Sequence, residues 1–253
     1  MMKQTDYAGL HHLRDYLRDF EDDYVVIGGF ATLMLLDREL EGHGKATFDI
    51  DLVLLTSNNI YMTQKIKAYV KEGQYEIQKG ARDQYTYYRF IKPHIEGFAK
   101  EIELFASNKN DLSLDPDQRI IPIDAEEGLY SLSAIMLYSE YFEMIKQNVE
   151  KSTIAPCTNT QATIMLKMSA FRDLKERNDD KYKKHRRDIF KLSFLLTGEE
   201  KISLLGRMKE DFDAFIEHVE IQLDAKAFKS ITYPLIIDKV EMVATLKKVY
   251  IND

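Results

Sequence analysis

The sequence contains a single cysteine, Cys157, which excludes an intrachain disulfide framework and a zinc site built from several cysteines. It also lacks long hydrophobic runs: the longest, VVIGGFATLMLL and IDLVLL, fall far short of the about 20 apolar residues that span a bilayer. The N-terminal stretch is polar throughout and has no apolar signal-peptide core. We therefore expect a reduced, soluble, cytoplasmic protein with no membrane partner.

Positive charge is in the minority, with 35 Lys and Arg against 42 Asp and Glu and a net charge of −7. This balance argues against a protein that coats nucleic acid by bulk electrostatics. A local basic patch is still present, because residues 167–191 hold ten Lys or Arg and five Asp or Glu. This segment either holds the phosphates of a nucleotide or an RNA acceptor, or forms a solvated helix face.

Prolines are few, and two of the five lie in the segment DLSLDPDQRIIPIDAEEG. Before this segment, short β-like runs alternate with helix-like runs; after it the pattern is almost wholly helical. We therefore predict two domains, an α/β or α+β domain with a mixed sheet over residues 1–123 and a helical domain over residues 124–253.

Hydrophobic periodicity predicts the individual elements. The predicted strands are Tyr24–Ile27, Thr47–Leu55, Tyr75–Gln78, Tyr87–Ile91 and Glu101–Phe105. The predicted helices are His11–Phe20, Phe30–Leu40, Ile60–Lys71, Glu126–Val149, Thr160–Glu176, Lys183–Leu196, Glu199–Glu220 and Val240–Tyr250. An extended stretch is expected over Ile231–Ile236, around Pro234.

The run TFDIDLVLL places Asp49 and Asp51 on one face of a strand, because alternate residues of a strand share a face. Phe48, Ile50 and Leu52 should then face the core. Adjacent carboxylates repel unless a cation lies between them, and a pair of divalent ions would remove that conflict. The alternative is an edge strand with a solvated face, but the apolar Val53-Leu54-Leu55 that follows favours a central strand.

A β-like run ends abruptly at Gly28-Gly29, and a helix-like run follows at once. Glycine permits close approach of a ligand to the backbone, and a helix N-terminus attracts anions, so this turn suits a phosphate group. An ordinary strand-to-helix turn is the alternative, since neither the Rossmann fingerprint nor the P-loop pattern is present.

In the run KEIELFAS, Glu101 and Glu103 share a face opposite Ile102 and Leu104. A strand next to the aspartate strand would add a third carboxylate to a metal site. A solvated strand face is the alternative for either glutamate.

These residues together resemble the nucleotidyltransferase superfamily with the DNA polymerase β-like fold. The resemblance rests on a strand, Gly28-Gly29 and a helix, followed by the motif Thr47-x-Asp49-Ile50-Asp51 and then by a strand acid. Within the superfamily the chain is most similar to AbiEii-type, toxin-like nucleotidyltransferases, which pair a minimal catalytic domain with a helical C-terminal domain. The runs IMLKMSAF, around Lys167, and RRDIFKL, around Asp188, look like two helices of that family's C-terminal domain.

The resemblance implies a role for each matching residue. Gly28 and Gly29 would hold the triphosphate, and Lys167 would approach the nucleotide phosphates. Asp49 and Asp51 would bind magnesium or manganese, with Glu103 as the third acid; Glu101 stays open as an alternative to Glu103. The third acid is a glutamate where the family has an aspartate, which leaves the group that deprotonates the acceptor open.

The implied activity is transfer of NMP from an NTP, such as ATP, to a hydroxyl of RNA, protein or a small molecule, with an antitoxin as a further partner. Two other functions remain open at this stage. One is a catalytically inactive binding or regulatory protein with the same fold. The other is a metal-dependent phosphodiesterase or nuclease, which would use the acids without needing the glycine turn.

Overall fold

The computed structural model describes residues 7–40, 47–56, 59–79, 85–107, 120–123 and 132–252. The chain divides into two compact units. The first contains the described residues of Met1–Met34 and Gly44–Thr158, and the second those of Leu35–His43 and Asn159–Asp253. The first unit thus extends past residue 123, where the sequence predicts the boundary, because later strands join its sheet.

A mixed sheet forms the centre of the first unit, as the sequence predicts. Its strands are β1 (Tyr24–Ile27), β2 (Asp49–Leu54), β3 (Glu76–Lys79), β4 (Tyr85–Ile91), β5 (Glu101–Ser107), β6 (Ile120–Pro122), β7 (Ser133–Leu137), β8 (Val149–Glu150) and β9 (Cys157–Thr158). They lie in the order β3-β4-β5-β2-β1-β9-β8, and β7 pairs with both β5 and β6. β2 runs antiparallel to β1 and parallel to β5. The aspartate strand is therefore an interior strand, and that prediction is confirmed.

The α-helices that begin in the described part of the first unit are α1 (Ala8–Tyr16), α2 (Gly28–Glu39), α3 (Ile60–Glu72) and α4 (Ser139–Gln147). Alternation along β2 and β5 directs Ile50, Leu52, Ile102 and Leu104 into the core, where each is at most 1% exposed. Burial of these side chains against the helices fixes which face of the sheet remains for polar groups.

The predicted helix Glu126–Val149 is wrong over its described first part. Ser133–Leu137 is strand β7, paired in parallel with β5 and antiparallel with β6, and only Ser139–Gln147 is helical. Pairing with strands distant in sequence outweighs the local helix preference of this segment.

The second unit is built from helices packed around aromatic rings. The helices are α5 (Thr160–Glu176), α6 (Tyr182–Ser193), α7 (Arg207–Glu217), α8 (Ala225–Thr232) and α9 (Lys239–Val249), and two short strands, β10 (Ile202–Ser203) and β11 (Tyr250–Ile251), pair in parallel. The ring centroid of Phe215 lies 5.2 Å from that of Phe171 and 5.9 Å from that of Phe190. Phe190 in turn contacts Phe228 at 4.9 Å. The helical character predicted for residues 124–253 is thus confirmed from Asn159 onward, whereas strands β7, β8 and β9 lie before it.

Two details of the second unit differ from expectation. The predicted helix Glu199–Glu220 is wrong in its first part, where β10 lies; the helix begins at Arg207, and a π-helix at His218–Gln222 continues it past residue 220. The stretch Ile231–Ile236 is not a strand, since its first two residues end α8. No helix in the described part of the chain is long and apolar enough to cross a membrane.

Candidate active site

Two neighbouring strands bring four carboxylates to one face of the sheet. In the parallel pairing of β2 with β5, Asp49 lies opposite Glu101 and Asp51 lies opposite Glu103. Partners in register share a face, so all four side chains lie opposite the buried Ile50, Leu52, Ile102 and Leu104. The structure therefore confirms that each predicted pair of acids shares a face, and it places the two pairs next to each other.

The acids differ in exposure along the strands. Asp49 is exposed at the start of β2, whereas Asp51, Glu101 and Glu103 are half-buried. The expectation that Phe48 faces the core is wrong: it precedes the first residue of β2 and is 53% exposed. The Lys100 ammonium lies 4.0 Å from the centre of the Phe48 ring. The exposed end of the acidic face thus has an aromatic ring and a lysine beside it.

The glycine turn packs directly on the acidic strand. Gly28 has a φ of +67°, and a Cβ at this position would lie 1.9 Å from Oδ2 of Asp51. A Cβ on Gly29 would lie 2.7 Å from Oγ1 of Thr47, so neither position has room for a side chain. The hydroxyl of Thr32 donates to the carbonyl oxygen of Gly28 at 2.8 Å, within the first turn of α2. The structure therefore brings Gly28 and Asp51 together at the start of a helix, whose first amides have no partner within the helix.

Sequence reasoning missed one member of this cluster, Arg89. It lies opposite Glu103 in the antiparallel pairing of β4 with β5. Its guanidinium donates to the carboxylate of Glu101, and its Nη1 lies 3.6 Å from Oε1 of Glu103. The available signal was the alternation of Arg89 with the buried Phe90 in a predicted strand. Arg89 supplies an internal cation to the acidic face.

The crowding of these acids alters their protonation. Burial raises the pKa of Glu103, and the charges of Glu101 and Asp49 raise it further, against the opposing effect of Arg89. Burial also raises the pKa of Glu101, together with the charge of Asp49 and a hydrogen bond to it. For Arg89, burial lowers the pKa, but the charges of Glu103 and Glu101 outweigh it and the net pKa is raised. The site therefore holds an excess of negative charge that one arginine only partly offsets.

Carboxylate oxygens are the ligands that Mg²⁺ and Mn²⁺ prefer, so the chemistry of this donor set fits a hard divalent cation. Among the residues that the structure describes, no group of three or more His, Cys, Asp or Glu side chains is arranged to hold a metal ion. Two of the carboxylates, those of Glu101 and Glu103, face Arg89 instead. The metal role of Asp49, Asp51 and Glu103 stays a prediction.

Lys167 belongs to the second unit, where its side chain is 3% exposed. Its ammonium donates to Oδ2 of Asp188 at 2.8 Å, which joins the two residues that carry the second part of the family resemblance. Burial and the charge of Lys167 together lower the pKa of the neighbouring His185 to about 4. The predicted contact of Lys167 with nucleotide phosphates stays a prediction.

A cavity of about 720 Å³ opens beside the acidic cluster in the first unit. Arg89 and Glu101 line it together with the β4–β5 connection, which includes Lys92, Phe98 and Lys100. The cavity next to the carboxylates is therefore lined by both cationic and aromatic side chains.

Comparison with known proteins places this geometry in a fold. No family model matches the chain, and no curated protein matches it. Among solved structures, an antigenic nucleotidyltransferase-like protein from Paracoccidioides brasiliensis matches 94% of this chain and 97% of its own, with a TM-score of 0.50 and 13% sequence identity. The chain has a nucleotidyltransferase-like fold. A proposed nucleotidyltransferase from H. pylori covers 97% of this chain and 92% of its own at 14% identity, but its TM-score of 0.32 is too low to indicate a shared fold.

At this low identity the likeness shows the fold alone. The nucleotidyltransferase-like architecture expected from the glycine turn and the paired aspartates is confirmed. The AbiEii-type assignment within that superfamily is a narrower statement, which this likeness does not address.

Proposed function

We propose that this protein is a metal-dependent nucleotidyltransferase that transfers NMP from an NTP to an acceptor hydroxyl. The observation that carries the proposal is the contact between the Gly28 turn and Asp51, with Asp49 and Glu103 on the same face. A turn that accepts a phosphate and a face that accepts divalent cations are then adjacent. Nucleotidyl transfer needs both at one place, whereas an unrelated structural role needs neither.

In the proposed reaction the acceptor oxygen forms a bond to the α-phosphorus, the bond from that phosphorus to the β-phosphate oxygen breaks, and pyrophosphate leaves. Divalent cations held by Asp49, Asp51 and Glu103 would neutralise the charge on the phosphates. Backbone amides at the start of α2 orient the triphosphate next to Asp51. Glu103, whose pKa is raised by burial, is the residue that we assign to take the proton of the acceptor hydroxyl.

The test is a screen of the purified protein with four α-labelled NTPs, Mg²⁺ or Mn²⁺, and total RNA, in parallel with reactions that lack RNA. Asp49→Asn should reduce label transfer by at least about 100-fold, the usual scale for loss of a key electrostatic group. Asp22→Asn is the matched control, because Asp22 is 84% exposed and pairs with Lys151 on the surface. Equal transfer by wild type and Asp49→Asn would reject the assignment.

The AbiEii-type resemblance extends this proposal. It makes an RNA or protein hydroxyl the acceptor and adds an antitoxin partner, in keeping with the basic segment at residues 167–191. Label recovered in RNA supports the first acceptor, and label recovered in the protein itself supports the second. Release of mononucleotides from RNA without NTP would instead indicate a nuclease.

One observation favours a second candidate, a catalytically inactive protein of the same fold that binds a ligand or regulates a partner. Arg89 contacts Glu101 and lies near Glu103, and an arginine that permanently fills the place of a cation would silence the site. A thermal-shift titration separates the two candidates, because a ligand that binds the folded state raises the melting temperature. A shift with Mg²⁺ plus an NTP supports the enzyme, and no shift with any of the four NTPs supports the inactive protein.

A further inference from the structure

The second unit contains two cations that lie beside a buried histidine instead of beside an acid. Lys175 lies on α5, Arg186 lies on α6, and both contact His218, which is 4% exposed. The ammonium of Lys175 is 3.2 Å from Nδ1 of His218, and Nη1 of Arg186 is 3.1 Å from Nε2. Among the residues that the structure describes, neither cation has a carboxylate within 4.0 Å.

The hydrogen bonds around His218 leave donors in surplus. Nδ1 of the ring lies 2.8 Å from Oε1 of Gln222, an acceptor, so Nδ1 carries the proton and Nε2 accepts from Arg186. The ammonium of Lys175 donates to that same Gln222 oxygen at 2.9 Å. Lys175 therefore keeps further donors, and the buried Nε of Arg186 has no hydrogen-bond partner among the described residues. Unused donors on two cations call for an acceptor that carries negative charge.

The surroundings make this arrangement costly without an anion. Burial lowers the pKa of Lys175 and that of Arg186, and the charge of Glu217, which raises the pKa of Lys175, offsets this only in part. Other ion pairs nearby are complete: Arg172 contacts Glu176, Glu210 and Asp211. Lys175 and Arg186 thus hold two of the ten positive charges of residues 167–191 beside one histidine.

The local backbone also marks the position. His218 and Gln222 are the first and last residues of the π-helix, a rare conformation that is found frequently at functional sites. Tyr182 and Phe171 border the histidine, with ring centroids 6.3 Å and 5.1 Å from that of His218. His218 and Gln222 therefore lie in this π-helix and together contact Lys175 of α5, and His218 also contacts Arg186 of α6.

We infer that Lys175, Arg186 and His218 form a binding site for a phosphate group on the helical unit. Arg186 supplies planar donors, Lys175 supplies an ammonium, and His218 with Gln222 holds both cations in position. This site shares no residue with the carboxylate cluster of the first unit. The phosphate comes either from a small phosphorylated molecule or from the backbone of a single-stranded RNA.

Titration with inorganic phosphate tests the inference, with the ring ¹⁵N signals of His218 in the full-length protein as the readout. Saturable movement of these signals is expected, with at least about tenfold weaker binding in Lys175→Gln and in Arg186→Gln. Lys209→Gln is the matched control, because Lys209 is exposed and pairs with Asp213 on α7. Unchanged His218 signals up to about 10 mM phosphate would overturn the inference, and this measurement needs only the wild-type protein.

A second arm identifies the source of the phosphate. Anisotropy of a labelled, short single-stranded RNA is measured with the same variants, and inorganic phosphate is used as the competitor. RNA binding that weakens in Lys175→Gln but not in Lys209→Gln supports a backbone phosphate. Loss of inorganic phosphate binding with unchanged RNA binding supports a small phosphorylated ligand. Equal phosphate affinity in wild type, Lys175→Gln and Arg186→Gln would show that the site does not exist.

Discussion

The guanidinium of Arg89 contacts the carboxylate of Glu101 across neighbouring strands and also lies near Glu103. A residue of β4 thus partly neutralises acids that β5 presents beside Asp49 and Asp51. Arg89 and a divalent cation would compete for the same carboxylates, since both are positive charges within reach of them. The balance between them decides whether the acidic face is open to a metal.

Replacing Arg89 tests this competition. Arg89→Gln should lower the free energy of unfolding by about 1–3 kcal/mol without metal, because charge-assisted hydrogen bonds are lost and the acids repel. It should also strengthen Mn²⁺ binding by about tenfold or more, since a competing charge is removed. Denaturant unfolding and electron paramagnetic resonance of Mn²⁺ measure the two effects. Lys92→Gln is the control, because exposed Lys92 pairs with Glu76, and equal Mn²⁺ affinity in all three proteins would refute the competition.

The close approach of Gly28 to Asp51 gives a second prediction. Gly28→Ala should abolish nucleotide binding, because its methyl group would occupy the position of the Asp51 carboxylate. Gly97→Ala is a matched control: Gly97 also has a positive φ, but a Cβ there meets nothing within 4 Å. Both variants should lose roughly 1–2 kcal/mol to backbone strain, and only Gly28→Ala should lose more. Thermal shift with NTP checks binding, and equal loss in both variants would show that the contact does not matter.

The buried His185 predicts how stability depends on pH. Burial and Lys167 lower its pKa from 6.5 to about 4, with Asp188 opposing and Lys184 adding to the effect. Between these two values the unfolded chain binds a proton that the folded chain does not, so the free energy of unfolding should fall as pH decreases from about 6.5 to about 4. Denaturant midpoints across this range measure the slope. His185→Gln should flatten it, whereas His94→Gln, at an exposed position, should leave it unchanged.

The ion pair between Lys167 and Asp188 gives a fourth prediction, which separates structure from function. Asp188→Asn leaves a nearly fully buried ammonium without its partner and should cost about 3–5 kcal/mol of stability. Lys167→Met should cost less, because Asp188 is 14% exposed and keeps some hydration. If Lys167 also contacts nucleotide phosphates, Lys167→Met should raise the NTP KM by more than its loss of stability explains. An unchanged KM would assign Lys167 a structural role only.

The sequence predicts much of the first unit because its pattern is local. Alternation alone places Asp49 and Asp51 opposite Ile50 and Leu52, and the two glycines indicate the start of α2. The register between β2 and β5 is a different matter, since the two strands are joined through two other strands and a helix. No local pattern indicates that Asp51 lies opposite Glu103.

The errors have the same physical origin. Ser133–Leu137 is a strand because β5 and β6 offer it hydrogen bonds, which its own composition does not indicate. In the sequence, Arg89 is an ordinary polar residue of a predicted strand. Only the pairing of β4 with β5 shows that it lies opposite Glu103. The cluster at His218 depends on the meeting of three helical segments and on a π-helix, and periodicity resolves neither.

The parallel register of β2 with β5 determines both which side chains are buried and where the four carboxylates lie. Inserting or deleting one residue in either strand would turn its acids toward the core and its isoleucine and leucine toward the other face. Charged groups would then be buried and apolar side chains would be exposed to water. We therefore expect a register shift of one residue to unfold the protein. Point substitutions can remove individual carboxylates without such a shift, but the acidic face cannot move along the strand.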